Sequence, residues 1–215
     1  MVGDVRISHS LHSSSPVSVP LFMYLPDLPT GSGRRIDSVM SGKIRVFIAC
    51  SLDGFIAGEN DDLSWLPGSD VAEAEDYGYD RFMYRIGAVL MGRRTYDVVA
   101  RFNPWPYGDL PVLVATHRDL PQAASSVRAV SGSIPDVVAR AREIAGDKDV
   151  YLDGGHLVRQ ALDAALIDEM TVSFVPVVLG RGRSLFAGSA TRHGLTLTDV
   201  RRFEIGLVQL TFRPT

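Results

Sequence analysis

The sequence predicts an α/β domain on a mixed sheet, parallel in its interior and antiparallel at its C-terminal edge. From Lys43 to Ala165 short apolar runs alternate with segments of helical period, the pattern of strand–helix–strand units. Two of these runs end in glycine and pass straight into a helical segment, at Gly92 and at Gly154-Gly155. The stretch from Leu195 to Phe212 reads instead as two antiparallel strands.

Each element follows in order. Residues 1–42 are rich in Ser, Pro and Gly and are expected to form a flexible or loosely docked extension, leaving one domain over residues 43–215. The apolar piece Val17 to Leu25 is interrupted by Pro20 and falls far short of a membrane span. Arg45 to Cys50 reads as a buried strand, followed by the loop Ser51-Leu52-Asp53-Gly54-Phe55-Ile56-Ala57-Gly58. A helix is predicted from about Ser69 to Ile86, because Tyr79, Phe82, Met83 and Ile86 recur at helical spacing and Gly87 supplies a stop. Ala88–Met91 is the second strand, Gly92–Ala100 a helix and Pro111–Ala115 the third strand. Proline in a first turn and Gly146 at the end place a helix over Pro135–Ala145. Val150–Leu152 is a strand, His156–Ala165 a helix, and Met170 to Val178 a β-branched run broken by Pro176.

Composition narrows the function. With 215 residues, 46% hydrophobic and 22% charged, the chain can bury a substantial core. A net charge of −3 gives no basic field that would draw it to nucleic acid or to a membrane surface, so a small-molecule substrate is expected. Cys50 is the single cysteine, which leaves no disulfide framework, no zinc-site spacing and no zinc deaminase chemistry. No metal is expected, and a reducing cytoplasm is the expected compartment. The run Val172–Val178 and the C-terminal strands are candidates for the face of a homodimer.

Chemistry concentrates in two segments. In Val89-Leu90-Met91-Gly92-Arg93-Arg94-Thr95-Tyr96 a strand opens into a helix, which presents free N–H groups, two arginine forks and a hydroxyl to an anion; a solvated helix start with surface arginines is the competing reading. In Val150-Tyr151-Leu152-Asp153-Gly154-Gly155-His156 paired glycines after a strand allow a backbone to approach a ligand closely, or simply make a tight turn.

Taken in order, the Ser-Leu-Asp-Gly loop, Leu-Met-Gly-Arg-Arg-Thr-Tyr, Asp-Gly-Gly and Pro176-Val-Val-Leu-Gly-Arg-Gly-Arg-Ser-Leu-Phe186 resemble the dihydrofolate reductase superfamily. They are more similar still to the reductase domain of the bifunctional deaminase-reductases of riboflavin biosynthesis and its stand-alone bacterial relatives. The resemblance spans Lys43 to Arg213. It implies a dihydrofolate-reductase-like three-layer fold and an NADPH-dependent reduction of a pyrimidine- or pterin-type heterocycle, similar to that of 5-amino-6-(5-phosphoribosylamino)uracil reductase.

Carried over by residue, the resemblance assigns Ala49 and Ile56 to the nicotinamide carboxamide. Gly92, Arg93, Arg94 and Thr95 go to the phosphates, with Arg93 on the adenosine 2′-phosphate. Thr116 is assigned to the phosphoribose, and Asp153, Gly154 and Gly155 to the pyrophosphate and ribose. Ser173 matches a hydroxyl position near substrate.

Asp53 can orient substrate or cap a turn. Dihydrofolate reductases proper carry a carboxylate in the following helix, where this chain offers Glu75, Asp76 and Asp80, so Asp53, Asp76 and Asp80 are the candidate catalytic carboxylates. Trp65 walls a pocket or plugs a core edge, and Arg181 and Arg183 cradle a substrate phosphate or decorate a turn. The alternative function is a non-catalytic relative that keeps the dinucleotide pocket as a ligand sensor or interaction site.

Overall fold

The computed structural model describes residues 42–67, 76–120 and 124–215. The proposed extension, apart from Gly42, and Glu75 lie outside the described residues. Gly42 belongs to the folded part, since a Cβ on it would lie 1.6 Å from the Lys148 carbonyl oxygen.

The strands are β1 (Ile44–Ser51), β2 (Phe55–Ala57), β3 (Ile86–Gly92), β4 (Val112–Ala115), β5 (Val127–Val130), β6 (Asp149–Asp153), β7 (Glu169–Val175), β8 (Arg183–Ser184), β9 (Leu195–Arg202) and β10 (Val208–Pro214). Eight of them form one sheet in the order β5-β4-β3-β6-β1-β7-β10-β9, while β2 and β8 pair separately. From β5 to β7 every pairing is parallel. The antiparallel additions of β10 to β7 and β9 to β10 make the C-terminal edge. The helices are α1 (Tyr79–Met83), α2 (Arg93–Val99), α3 (Ile134–Ala145) and α4 (Gly155–Asp163).

Burial on both faces explains why the inner strands are apolar without alternation. All eight residues of β1 are buried. On one face α3 and α4 insert Val137, Val138, Ala141, Leu157, Val158 and Ala161 against Val46, Leu90 and Leu152. On the other, α1 and α2 bring Tyr79, Met83, Tyr96 and Val99 against Phe47, Val89, Met91 and Tyr151. The result is three layers, with each buried aliphatic or aromatic side chain contributing about 1.5–3 kcal/mol. Tyr151 also carries its hydroxyl inward, donating to the Phe47 carbonyl at 2.9 Å. Tyr151→Phe is expected to lower the urea-unfolding free energy by about 1 kcal/mol, because it strips one buried acceptor of a donor.

The expected helix to Ile86 is corrected: α1 ends at Met83, and Ile86 opens β3. Gly87 is no helix stop. It sits inside the strand because α3 ends against it, and a Cβ there would come within 2.5 Å of the Ala145 carbonyl oxygen. The run after Met170 ends as a strand at Val175, at the break expected at Pro176, and β1 and β10 pair along both its edges. The exposed margin is β9, in which every residue is exposed.

Candidate active site

The chain runs from β1 outward to β3, β4 and β5, returns to place β6 between β3 and β1, and then crosses to β7. Such a reversal separates the loops at the carboxyl ends of neighbouring strands and opens a crevice there. Here it opens a cleft of about 950 Å³, lined from β1 (Ala49), β2 (Ile56), the start of α2 (Gly92–Thr95), the end of β4 (Thr116) and the turn after β6 (Asp153–Gly155).

Two glycine junctions distant in sequence meet in this cleft. Gly154 has φ of +93°, and a Cβ on it would lie 2.2 Å from Thr95 Oγ1, so α2 seats its first turn directly on the β6–α4 turn. On the other side of that turn, a Cβ on Gly155 would come within 3.1 Å of Ile56 Cδ1 and 3.2 Å of the Ser184 carbonyl oxygen. Arg159 of α4 fastens the same wall by donating to the carbonyls of Ser184 and Leu185 at 2.9 and 3.1 Å.

The arginines are pre-set by carboxylates. Arg93 Nε binds Asp97 Oδ1 at 2.7 Å and its Nη1 donates to the Asp119 carbonyl at 2.9 Å. Arg94 forms a fork on Asp61, at 2.8 and 3.1 Å, and Arg183 Nε lies 3.6 Å from the same carboxylate. Asp61 therefore ties the turn after β2 to α2 and β8, and the arginines hold its carboxyl below the usual range.

Asp153 lies at the cleft floor, 7% exposed. Burial pushes its pKa up to about 6, against the opposing influence of the Gly154 N–H and the Tyr151 and Tyr107 hydroxyls. Burial, together with the Asp153 carboxylate, pushes the hydroxyls of Tyr79 and Tyr107 well above the usual tyrosine range.

Other candidates stand elsewhere. Asp53 accepts from Ser51 Oγ at 2.6 Å and from the N–H groups of Leu179 and Gly180 at 3.1 and 2.7 Å, which keeps its carboxyl below the usual range and makes it the clasp of two loops. Asp76 starts α1 by accepting from Gly78 and Asp80 N–H at 2.9 and 3.1 Å. Asp80 is raised by burial and by Asp76, and like the other two it does not line the cleft.

Ser173 is wholly buried within the sheet, accepting from Gln209 Nε2 at 3.0 Å, because β10 covers the strand that carries it. Trp65 packs on the aromatic core with its indole N–H on the Asp62 carbonyl at 3.1 Å, while its neighbours Leu63 and Leu66 line the cleft. Arg183 lines the cleft, but Arg181 borders a separate hollow with Glu59 and Asp62.

Sequence reasoning missed Asp61, Arg159 and the Ser131–Ile134 wall. A local signal existed only for the last: Ser133 caps α3 in reciprocal bonds with Asp136, and Pro135 follows in the first turn.

Fold and cleft together define a three-layer α/β protein of dihydrofolate-reductase type with an open cleft at the carboxyl edge of the sheet. The chain belongs to the RibD C-terminal domain family, which matches residues 42–209 and is the reductase domain of riboflavin-biosynthesis type. It is 32% identical over 166 residues to the uncharacterized protein YwjB of Bacillus subtilis, covering 76% of this chain and 94% of that one. The uncharacterized protein YyaP of the same organism is 27% identical over 182 residues, covering 79% and 94%.

A Shewanella sp. PV-4 structure, provisionally named for riboflavin biosynthesis, is 32% identical with a TM-score of 0.73, over 80% of this chain and 99% of that chain. The Thermotoga maritima diaminohydroxyphosphoribosylaminopyrimidine deaminase/5-amino-6-(5-phosphoribosylamino)uracil reductase shares the fold at 17% identity and a TM-score of 0.59, over 81% of this chain and 57% of that longer one. Among the described residues, no helix is long and apolar enough to cross a membrane.

Proposed function

We propose that the protein is an NADPH-dependent reductase that transfers a hydride to a small heterocycle of pyrimidine or pterin type. The observation carrying this reading is the contact of Thr95 with Gly154, which joins two glycine junctions into one cradle at the sheet's switch point. The chain's residues fit a dinucleotide. The cleft, at about 950 Å³, lies at the upper end of the range for small-ligand sites. Its floor at Gly154 has no room for a side chain, and arginine forks stand at its rim.

In this reading Gly92, Arg93, Arg94 and Thr95 hold phosphate oxygens and Thr116 holds the adenosine side. Gly154 and Gly155 give backbone access to the pyrophosphate and ribose, and the backbone groups of Ala49 and Ile56 orient the carboxamide. Bound there, the reduced nicotinamide supplies the hydride. The chain fixes the donor and acceptor at contact distance, and Phe47, Leu63 and Leu66 give the cleft an apolar lining.

Arg93→Ala is expected to weaken NADPH about tenfold more than NADH in a fluorescence titration, the loss of one charge-assisted bond to the 2′-phosphate. Equal losses for the two nucleotides would reassign Arg93. The reading as a whole is tested by NADPH oxidation across a panel of pyrimidines and pterins. Tight NADPH binding with no turnover of any of them would favour the ligand-sensor alternative, for which the commitment of Asp53 and Asp76 to backbone N–H groups speaks.

A further inference from the structure

The charge of the substrate is dictated by the cleft itself: we propose that the heterocycle carries no phosphate, and that Asp61 is the residue that excludes one. The inference rests on the reductase reading above and narrows its substrate class. The cations of the cleft fall into two sets. After β4, His117 and Arg118 line the cleft, and among the described residues neither makes an ion pair. Toward β2 and β8 the arginines are already engaged. Asp61 takes Nε and Nη2 of Arg94 at 2.8 and 3.1 Å and stands 3.6 Å from Arg183 Nε. Arg159 is spent on the carbonyls of Ser184 and Leu185. Arg181, the other arginine of the segment leading into β8, borders the separate hollow, in the company of Glu59 and Asp62.

Two guanidiniums against one carboxylate leave room for one further negative charge. A nucleotide phosphate takes it in the reading above, through Nη1 of Arg94, which Asp61 does not use. A phosphate monoester on the substrate would bring about −1.5 to −2 more, beside the Asp61 carboxylate, with no unmatched cation on that side to receive it. Repulsion of this kind separates two ligands that share one ring more sharply than added contacts do.

The carboxylate is built into place. Asn60 and Asp61 are successive left-handed residues, with φ of 57° and 62°, in the turn that lays the Asp61 side chain against both arginines at once. Those arginines lower its pKa and keep it ionised through the neutral range. Beyond it in the same loop, Leu63 and Leu66 line the cleft with groups suited to an uncharged ring.

The probes are 5-amino-6-(5-phosphoribosylamino)uracil and the same compound without its phosphate, titrated calorimetrically into the NADP⁺-saturated protein. The parent is expected to bind the phosphate-free form at least as tightly as the phosphorylated one. Asp61→Asn removes the charge and keeps a residue that tolerates the left-handed backbone. It should tighten the phosphorylated form about tenfold and the other less than about twofold, a gain that shrinks as salt is raised. In Asp61→Asn/Arg183→Ala most of the gain should be lost, because the guanidinium that the first change sets free is gone.

A parent that prefers the phosphorylated form overturns the inference whatever the variants do, and leaves the reductase reading standing. So does an Asp61→Asn variant that binds the phosphorylated form no better than the parent, or that gains equally on both forms. Failure of NADP⁺ and NADPH to bind the parent removes the reductase reading, and the inference with it.

Discussion

Gly154→Ala is expected to cost about 2–6 kcal/mol of folding free energy and to abolish nucleotide binding. Two penalties combine. At φ of +93° an L side chain is strained, at about 1–3 kcal/mol. The new methyl would also lie 2.2 Å from Thr95 Oγ1, so α2 must shift off the turn, an overpacking cost of about 1–3 kcal/mol. Gly188→Ala separates the two: φ there is +89° with nothing within 4 Å, so only the strain remains. On a Thr95→Ala background the steric share of Gly154→Ala should largely vanish, because the atom in closest conflict is gone. Urea unfolding of the four variants measures the coupling, and additive costs would show that Thr95 and Gly154 do not touch.

Asp153→Asn should change the pH dependence of stability more than replacement of any other carboxyl among the described residues. The folded carboxyl is raised to about 6 from an ordinary value of 3.8, so the folded state holds the proton more tightly than the unfolded chain does. Its contribution is present in full below about pH 3.8 and is lost as pH rises through about 6, a fall of about 3 kcal/mol. Asparagine cannot ionise. The variant should therefore gain on the parent by about 3 kcal/mol between pH 4 and pH 8, read as the difference between their urea-unfolding free energies. A constant difference across that range would place the Asp153 carboxyl in an ordinary solvated state.

Periodicity and punctuation made most of the architecture readable. Val89-Leu90-Met91 could only be a buried strand, and the step at Gly92 into a helical pattern located α2. The failures have physical causes. Tyr79, Met83 and Ile86 share the same core although a helix carries the first two and a strand the third, so burial spacing alone could not find the boundary between them. Gly87 looked like a helix terminator, whereas the reason for it is the approach of a carbonyl 58 residues away in sequence, which no local pattern encodes.

The meeting of Gly92–Thr95 with Gly154-Gly155 in one cleft was half legible, because each half is a local strand-to-helix junction. Asp61 was not, because its meaning comes from Arg94 and Arg183, which arrive from two other elements. Asp53 was legible as a loop carboxylate but not as a clasp, since Leu179 and Gly180 lie at the far side of the chain.

The pairing of β1 bears on how the chain is made. In the finished sheet Ile44 sits against Val150 and Arg45 against Glu169, whereas β3, β4 and β5 can zip together as soon as they are synthesised. Made well before its neighbours β6 and β7, β1 thus waits, apolar and unmatched, until they have followed it. Nascent fragments ending before β6 can assemble the outer half of the sheet but lack the inserted strand that turns an edge into a crevice. Any translational pause or truncation upstream of Asp149 would leave a sticky intermediate without its cleft for chaperones to shield.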